Sequence, residues 1–252
     1  MSTSISFTAL QWIPDIGVGD DLAALLAAAL PSPVTTGDLL VVAQKIVSKA
    51  EGCSIDLHTV TPSPRALELA RITGKDARLV EVILSESSQV LRAQPGVLIV
   101  RHRCGYVMAN AGIDRSNVRS PAGEERVLLL PRDADASATR LSENLRRRLG
   151  VVLGIIISDS FGRPWRNGVV NVALGAAGLP ALIDRRGERD LYGRAMEVTQ
   201  VAVADALAAA AGLAMGEAAE GLPAVLVRGF FWTAPPCSAQ ALIRPLAEDM
   251  FQ

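Results

Sequence analysis

The chain has little with which to build several familiar chemistries. Of its 252 residues only two are histidine, His58 and His102, and three are cysteine, Cys53, Cys104 and Cys237. Two histidines are a thin inventory for a serine triad or a multi-histidine metal centre, and both read as surface or packing residues. The cysteines are widely spaced and form no C-x-x-C pair, so neither a zinc site nor a disulfide framework is indicated and a reducing cytoplasm fits best. The formal net charge is -1, which leaves no broad basic face for a nucleic-acid partner. No apolar stretch reaches membrane-spanning length unbroken, and Met1-Ser-Thr-Ser-Ile-Ser-Phe7 has neither the basic start nor the apolar core of a signal peptide. A soluble cytoplasmic protein with no membrane partner is expected. There is no G-x-x-x-x-G-K-[ST], and Gly17-Val-Gly19 does not join a strand to a helix, so neither a P-loop nor a Rossmann site is expected.

Aromatics are also scarce, at 4%, while half the residues are hydrophobic. The core must then be made of Ala, Val, Leu and Ile, which suits an α/β protein with helices packed close on a sheet. The length allows one large domain or two modest ones sharing a core. With no repeat, linker or shift in composition, the chain reads as a single module over residues 1–252 with no boundary placed inside it.

The elements alternate along the chain. Residues 20–30 have helical spacing, and Leu39-Leu-Val-Val-Ala43 reads as a strand. Ser63-Pro64 is a cap followed by proline at the first helical position, and Gly74 closes that helix. Val97 to Val100 and Val127 to Leu130 read as strands. A helix over residues 133–150 ends in Arg146-Arg147-Arg148, a charge placement that suits the negative end of its dipole. Residues 194–213 are alanine-rich with helical spacing and predict one long helix, ended or turned at Gly216. Ala224 to Gly229 is a last strand. Residues 116–125, rich in Ser, Gly, Pro and charge, predict a mobile surface loop. Arg185-Arg186 with Arg189 and Asp190 reads as an ion-pair loop.

Three polar clusters, each built around an acid and each beside an apolar run, stand out: Asn110-Ala-Gly-Ile-Asp114-Arg-Ser-Asn117, Ser158-Asp159-Ser160-Phe-Gly-Arg163-Pro-Trp-Arg166, and Met215-Gly216-Glu217-Ala218-Ala219-Glu220-Gly221. Val151-Val-Leu-Gly-Ile-Ile-Ile157 is the continuous apolar run of a strand buried on both faces, and it should deliver Asp159 and Ser160 to the sheet edge. A carboxylate and a hydroxyl there are hard oxygen ligands for Mg²⁺ or Mn²⁺, and Arg163 and Arg166 can pair with phosphate or carboxylate oxygens. Each residue also has a plainer reading. Asp114 and Asp159 suit turns, Glu217 and Glu220 suit solvated charges past a helix, and Lys45 and Lys49 suit exposed lysines at helical spacing. The gathering of acids at the ends of apolar elements favours a shared site, because α/β enzymes collect ligands there.

The run Gly37-Asp-Leu-Leu-Val-Val-Ala-Gln-Lys-Ile-Val-Ser-Lys-Ala-Glu-Gly52, the three clusters, and Ile243-Arg-Pro-Leu-Ala-Glu-Asp-Met-Phe251 together resemble the coenzyme F420-0:L-glutamate ligase, or gamma-glutamyl ligase, family, nearly end to end. The resemblance implies an unusual mixed α/β fold and an intertwined homodimer. The activity it implies is GTP-dependent addition of L-glutamate to the lactyl carboxylate of coenzyme F420-0, then of further gamma-linked glutamates, releasing GDP and phosphate. It implies two divalent ions, Mg²⁺ or Mn²⁺, with a place for K⁺. Asp114, Asp159, Ser160 and Glu217 match its metal-ligand positions. Trp12, Ile13, Pro14, Asp15, Gln44, Lys49, Asn117 and the segment Met215, Gly216, Glu217, Ala218, Ala219, Glu220, Gly221, Leu222 match its nucleotide-contacting positions. Arg163 and Arg166 are catalytic candidates on chemical grounds, suited to orienting an anionic substrate. Trp12-Ile13 stands where relatives often have Gly-Leu, Gln44 where a small hydroxyl is frequent, and Glu217 where Gln is common. A glutamate ligase acting on another carboxylated cofactor precursor would keep the same metal and nucleotide residues. A binding-only relative would be expected to lose the oxygen ligands that are kept here.

Overall fold

The computed structural model describes residues 4–249, so Met250 and Phe251 at the end of the C-terminal motif lie outside the described residues. The elements run β1 (Ser6–Ala9), α1 (Leu22–Ala29), β2 (Leu39–Ala43), α2 (Gln44–Ala50), β3 (Ser54–Asp56), α3 (Pro64–Thr73), α4 (Ala77–Ser85), β4 (Ser87–Gln94), β5 (Val97–His102), β6 (Val107–Ala109), β7 (Arg126–Leu128), α5 (Ala134–Leu149), β8 (Gly154–Arg163), β9 (Arg166–Ala177), β10 (Leu182–Asp184), β11 (Gln200–Ala202), α6 (Val203–Met215) and β12 (Ala224–Arg228). The fold is mixed α/β. No helix among the described residues is long and apolar enough to cross a membrane.

The central sheet has the order β1-β12-β2-β8-β9. Among its described strands only β2 and β8 run parallel, with Leu39 opposite Gly154 and Ala43 opposite Ser158. Alternate residues of these strands feed two cores. Leu40, Val42, Ile155, Ile157 and Leu226 face α1 and α5 through Leu26, Leu141 and Leu145. Leu39, Val41, Ile156, Val225 and Val227 face α6 through Leu207, Ala208 and Ala211. Ile155, Ile156 and Ile157 are fully buried, each side chain contributing roughly 2 kcal/mol by leaving water. This explains why the strand shows no alternation of polar and apolar residues. A third core, around Leu57, Leu69, Ile83, Leu98 and Val100, joins α3 and α4 to the β4-β5-β6 and β3-β7 sheets.

The structure corrects two expected elements. The strand delivering Asp159 does not stop at Ile157; β8 runs on to Arg163, because the whole of β9 pairs with it antiparallel. A register shift between Ile157 and Ser158 marks where this ribbon bends away from the sheet. The alanine-rich helix starts at Val203, not near Arg194. Residues ahead of it form one side of a two-stranded arm, with Leu182 opposite Ala202 and Asp184 opposite Gln200. Strand pairing there overrides local helical spacing. The arm does carry ion pairs, but with partners other than those expected: Arg185 with Glu188 and Arg186 with Asp184, while Arg189 donates to the Gly193 carbonyl and Asp190 accepts backbone N–H groups. His102 packs inside, 3.5 Å from Glu86, whereas His58 is exposed beside Asp56. All three cysteines are free thiols.

The N-terminal turn of α5 holds β9 in place. Asp135 accepts the N–H of Ala176 and of Ala239, each at 2.8 Å, and that of Gln240 at 3.2 Å. Gly175 lets the chains approach, since a Cβ there would lie 2.2 Å from the Ala134 carbonyl oxygen. Asp135→Ala should cost about 2–4 kcal/mol by leaving part-buried N–H groups without an acceptor. A thermal melt tests this, and an unchanged melting temperature would mean that water replaces the carboxylate.

Candidate functional site

Four chain segments meet where β2 and β8 end. β1 leads into residues 10–16, and β2 passes directly into α2. β8 leaves the sheet at Ser158, and α6 turns at Gly216 into the segment that returns to β12. Two backbone hydrogen bonds close the seam, Leu10 N–H to Ala224 O and Ala43 N–H to Pro223 O, both 2.8 Å. Between these segments lies a cleft of about 470 Å³, lined by Ile13, Pro14, Asp15, Gln44, Lys45, Lys49, Asn117, Ser158, Asp159, Ser160, Asn171 and the whole of residues 215–222. Such a cleft outside the carboxyl ends of parallel strands is the expected place for a ligand in an open α/β sheet.

Lysine–carboxylate pairs organise one wall. Lys45 Nζ lies 2.7 Å from Asp114 Oδ2 and 2.8 Å from Ser116 Oγ, and Lys49 Nζ lies 2.9 Å from Asp15 Oδ1. The side chains of Lys45 and Lys49 are 28% and 18% exposed, so they are not solvated helix charges; spaced four apart, both project from one face of α2. Burial works against a charge on Asp114, but Lys45 and the Ser116 N–H outweigh it and hold the carboxyl below its usual range. The hydrogen bond and charge of Lys49 do the same for Asp15. Asp114 also makes the turn contact expected of aspartate, accepting the Ser116 N–H at 2.7 Å.

Asp159 behaves oppositely. Desolvation dominates and pushes its carboxyl up to about 7; the Ser160 N–H and Lys45 work against it, and the nearby Asp114 and Glu217 carboxylates add to the rise. Two further polar groups in the wall are buried without a partner among the described residues, the Gln44 Nε2 and the Ser158 Oγ. Gln44 is fixed by its other end, where Oε1 accepts from Ser48 Oγ at 2.8 Å.

The returning segment is held by its own acids. Glu217 Oε1 accepts from Asn171 Nδ2 at 2.7 Å, Glu220 Oε2 accepts the Ala218 N–H at 2.8 Å, and Asn117 Nδ2 donates to the Ala218 carbonyl at 3.2 Å. Gly216 has φ +76°, and a Cβ there would lie 2.2 Å from the Glu220 carboxyl carbon. The turn thus needs glycine twice, for its backbone and for room. Glu217 and Glu220 are therefore anchored groups rather than free solvated charges.

Four sequence candidates are not among the residues lining the cleft: Asp114, which is linked to it through its ion pair with Lys45, and Trp12, Arg163 and Arg166. Trp12 is 95% exposed with φ +64°. Arg163 and Arg166 flank the β8–β9 turn, where Arg163 donates to the Asn167 carbonyl at 2.8 Å. Neither arginine lines the cleft of its own chain. Lys45 and Asn171 are the residues that sequence reasoning passed over. Lys45 carried a usable signal, its four-residue spacing from Lys49; a lone Asn inside an unrecognised strand carried none.

The oxygen groups fit a divalent ion only in part. Among the described residues no three His, Cys, Asp or Glu side chains group closely enough to hold a metal by themselves. Asp159 is nonetheless a desolvated carboxylate with no salt-bridging cation, beside the Ser160 hydroxyl and near Glu217. Mg²⁺ is commonly held by one or two carboxylates with substrate phosphates completing its shell. The donor set fits an ion shared in that way.

A mixed α/β fold with an acid-and-lysine cleft at its parallel strand ends describes the class. A family model, F420-0:Gamma-glutamyl ligase, matches residues 12–229, and the chain belongs to that family. The coenzyme F420:L-glutamate ligase of Methanothermobacter thermautotrophicus is 47% identical over 253 aligned residues, covering 98% of this chain and 99% of that protein. The enzyme of the same name from Methanopyrus kandleri is 49% identical over 238 residues, 93% of this chain and 92% of its own. That from Archaeoglobus fulgidus is 42% identical over 243 residues, 96% of this chain and 94% of its own.

The raised carboxyl of Asp159 has a measurable consequence. With no cation bound, the folded chain keeps a proton that the unfolded chain releases near pH 4. This group's stability contribution is therefore complete at low pH, is lost as pH climbs to about 7, and stays lost above that. Asp159→Asn should melt higher than wild type above pH 7 in metal-free buffer. Its turnover should fall about 10-fold or more, and excess Mn²⁺ should restore part of it if the carboxylate is a ligand. Equal melting curves above pH 7 would remove the buried charge from the account, and normal turnover with unchanged metal dependence would remove Asp159 from the site.

Proposed function

We propose that this protein is a GTP-dependent ligase that joins L-glutamate to coenzyme F420-0 through an acyl phosphate and then adds further gamma-linked glutamates. The observation that carries this reading is the near full-length identity to enzymes named for coenzyme F420 and L-glutamate ligation, with residues of the 37–52 run and of each of the three polar clusters lining one cleft. The alternative precursor, another carboxylated cofactor, has no observation of its own in its favour.

The chemistry needs activation because a free carboxylate is a poor acylating agent. A substrate carboxylate oxygen attacks the γ-phosphorus of GTP, its bond to the β–γ bridging oxygen breaks, and GDP leaves. The glutamate amine, having lost a proton, then attacks the acyl carbon, and phosphate departs as the amide forms. Lys45 and Lys49 supply fixed positive charge for phosphate oxygens, and Asp114 and Asp15 hold the ammonium groups in position. Gln44 Nε2 and Ser158 Oγ offer buried donors with no partner among the described residues. Asp159, Ser160, Asp114 and Glu217 are the oxygen set for Mg²⁺ or Mn²⁺, which when bound would neutralise the phosphate charge that builds during transfer. Met215 and Leu222 give the returning segment its apolar contacts at the cleft.

The absence of a P-loop leaves nucleotide choice to this cleft, and GTP is expected over ATP. An intertwined homodimer is part of the reading. It is supported by exposed apolar side chains on the hairpin and arm, Trp165 at 89%, Leu191 at 99% and Tyr192 at 90% exposure, more than a solitary surface would usually present. In that assembly Arg163 and Arg166 would act away from their own cleft.

Mass spectrometry of purified protein with coenzyme F420-0, L-glutamate and GTP should show products growing by successive glutamates, with GDP released. Absence of any glutamylated product under varied Mg²⁺, Mn²⁺ and K⁺ would overturn the activity. Comparable kcat/KM for ATP and GTP would overturn nucleotide choice alone. Light scattering at micromolar concentration should give a dimer mass, and a monodisperse monomer would contradict the assembly.

A further inference from the structure

We propose that Asn171 is a positioning residue that fixes the Glu217 carboxylate for a divalent ion, and that Gly212 exists to make room for it. This rests on the ligase reading only in taking Glu217 to face a metal–phosphate ligand. Asn171 lies on β9 opposite Ser160, and directly opposed residues share a face of an antiparallel ribbon. The amide therefore stands beside the hydroxyl of the oxygen set. Its Nδ2 donates to Glu217 Oε1 at 2.7 Å across 46 residues of chain, and both side chains line the cleft.

The second observation lies on the neighbouring helix. α6 reads Val-Ala-Asp-Ala-Leu-Ala-Ala-Ala-Ala-Gly-Leu-Ala-Met, and its one glycine interrupts a run of the best helix former. A glycine inside a helix costs about 1 kcal/mol relative to alanine. At Gly212 the missing side chain is occupied space, because a Cβ would lie 2.4 Å from Asn171 Nδ2, 2.8 Å from its Cγ and 3.1 Å from its Cβ. The helix thus gives up propensity at the one turn that touches Asn171. Two turns earlier Asp205 accepts the Ala173 N–H at 2.8 Å, which ties the same helix to β9 two residues from Asn171 and sets its depth. Glu217 follows the helix by two residues and, at a flexible glycine turn, would otherwise sample many rotamers. A neutral donor on one oxygen holds it without neutralising its charge, leaving the carboxylate able to bind a cation.

The test reads Mn²⁺ binding by the loss of the free-ion electron paramagnetic resonance signal, with excess GDP present, alongside turnover and melting. Asn171→Ala should weaken Mn²⁺ binding about 10-fold or more, the usual scale for groups that orient a metal ligand. It should raise the Mn²⁺ concentration for half-maximal turnover equally, leaving kcat at saturating Mn²⁺ within a few-fold of wild type. Gly212→Ala, though better for a helix, should show the same loss, and adding it to Asn171→Ala should cause little further change because the two closest contacts, at 2.4 and 2.8 Å, are gone and only the 3.1 Å approach of the Cβ remains. Wild-type Mn²⁺ affinity in Asn171→Ala, full additivity of the two substitutions, or no Mn²⁺ binding by the wild type would each overturn the assignment. Should Asn171→Ala fail to fold, Gly212→Ala alone decides by the same titration. Mn²⁺ binding that depends on Asn171 in a protein forming no glutamylated product would uphold the positioning role and sink the ligase reading instead.

Discussion

The parallel pairing of β2 with β8 is the constraint on which the rest depends. Among the described residues it is the only parallel strand pairing in the central sheet, and both strands bury side chains on both faces. Two helices cover one face and α6 the other, so neither strand can shift by a residue without turning its apolar set against the wrong helix. The carboxyl ends of the pair are therefore fixed in depth. Gln44, Lys45 and Lys49 follow one end, and Ser158, Asp159 and Ser160 follow the other. The cleft inherits its precision from apolar registry several residues away.

The neighbouring strands extend that control. β12 runs antiparallel to β2 and brings residues 216–223 to the same edge, while β1, antiparallel to β12, brings residues 10–16. Each segment is then tied to another rather than only to itself. Asn117 holds Ala218, Asn171 holds Glu217, Lys45 holds Asp114 and Lys49 holds Asp15. Ion pairs that keep some contact with solvent contribute little stability singly. Their value here is to limit where four charged side chains can stand.

Much of this was legible in sequence because the signals were local. The apolar runs of β2 and β8, the Ser63 cap with Pro64, and the closing glycines at Gly74 and Gly150 appear where expected, with Ser63 Oγ accepting the Ala66 N–H at 3.2 Å and both glycines left-handed. The failures were non-local. Nothing in Arg166-Asn-Gly-Val-Val-Asn-Val-Ala-Leu announces a twelve-residue strand whose partner lies across a tight turn, so β8 seemed to end at Ile157. Residues 194–202 have helical spacing, yet β10 captures three of them as a strand. The cleft motifs were visible as motifs. Which of their side chains converge was not, and Trp12, Arg163 and Arg166 show the difference. A residue adjacent in sequence to a site need not line it where the backbone turns left-handed, as at Trp12 and Trp165.

The cleft also concentrates groups that the fold alone does not satisfy. Asp159 is desolvated near other carboxylates, and Gln44 and Ser158 each keep a buried polar atom without a partner among the described residues. Such groups cost stability in the free protein, roughly 1–3 kcal/mol for each unpaired neutral group. They sit on the end residues of the most deeply buried strand pair, where the two cores can offset the loss. Within the cleft the unsatisfied chemistry is complementary in kind: carboxylate oxygens lacking a cation, and neutral donors lacking an acceptor. A cation accompanied by acceptor oxygens would satisfy both sets together, which is the composition of a metal-bound phosphate. The same groups that weaken the empty fold thus specify what should fill it.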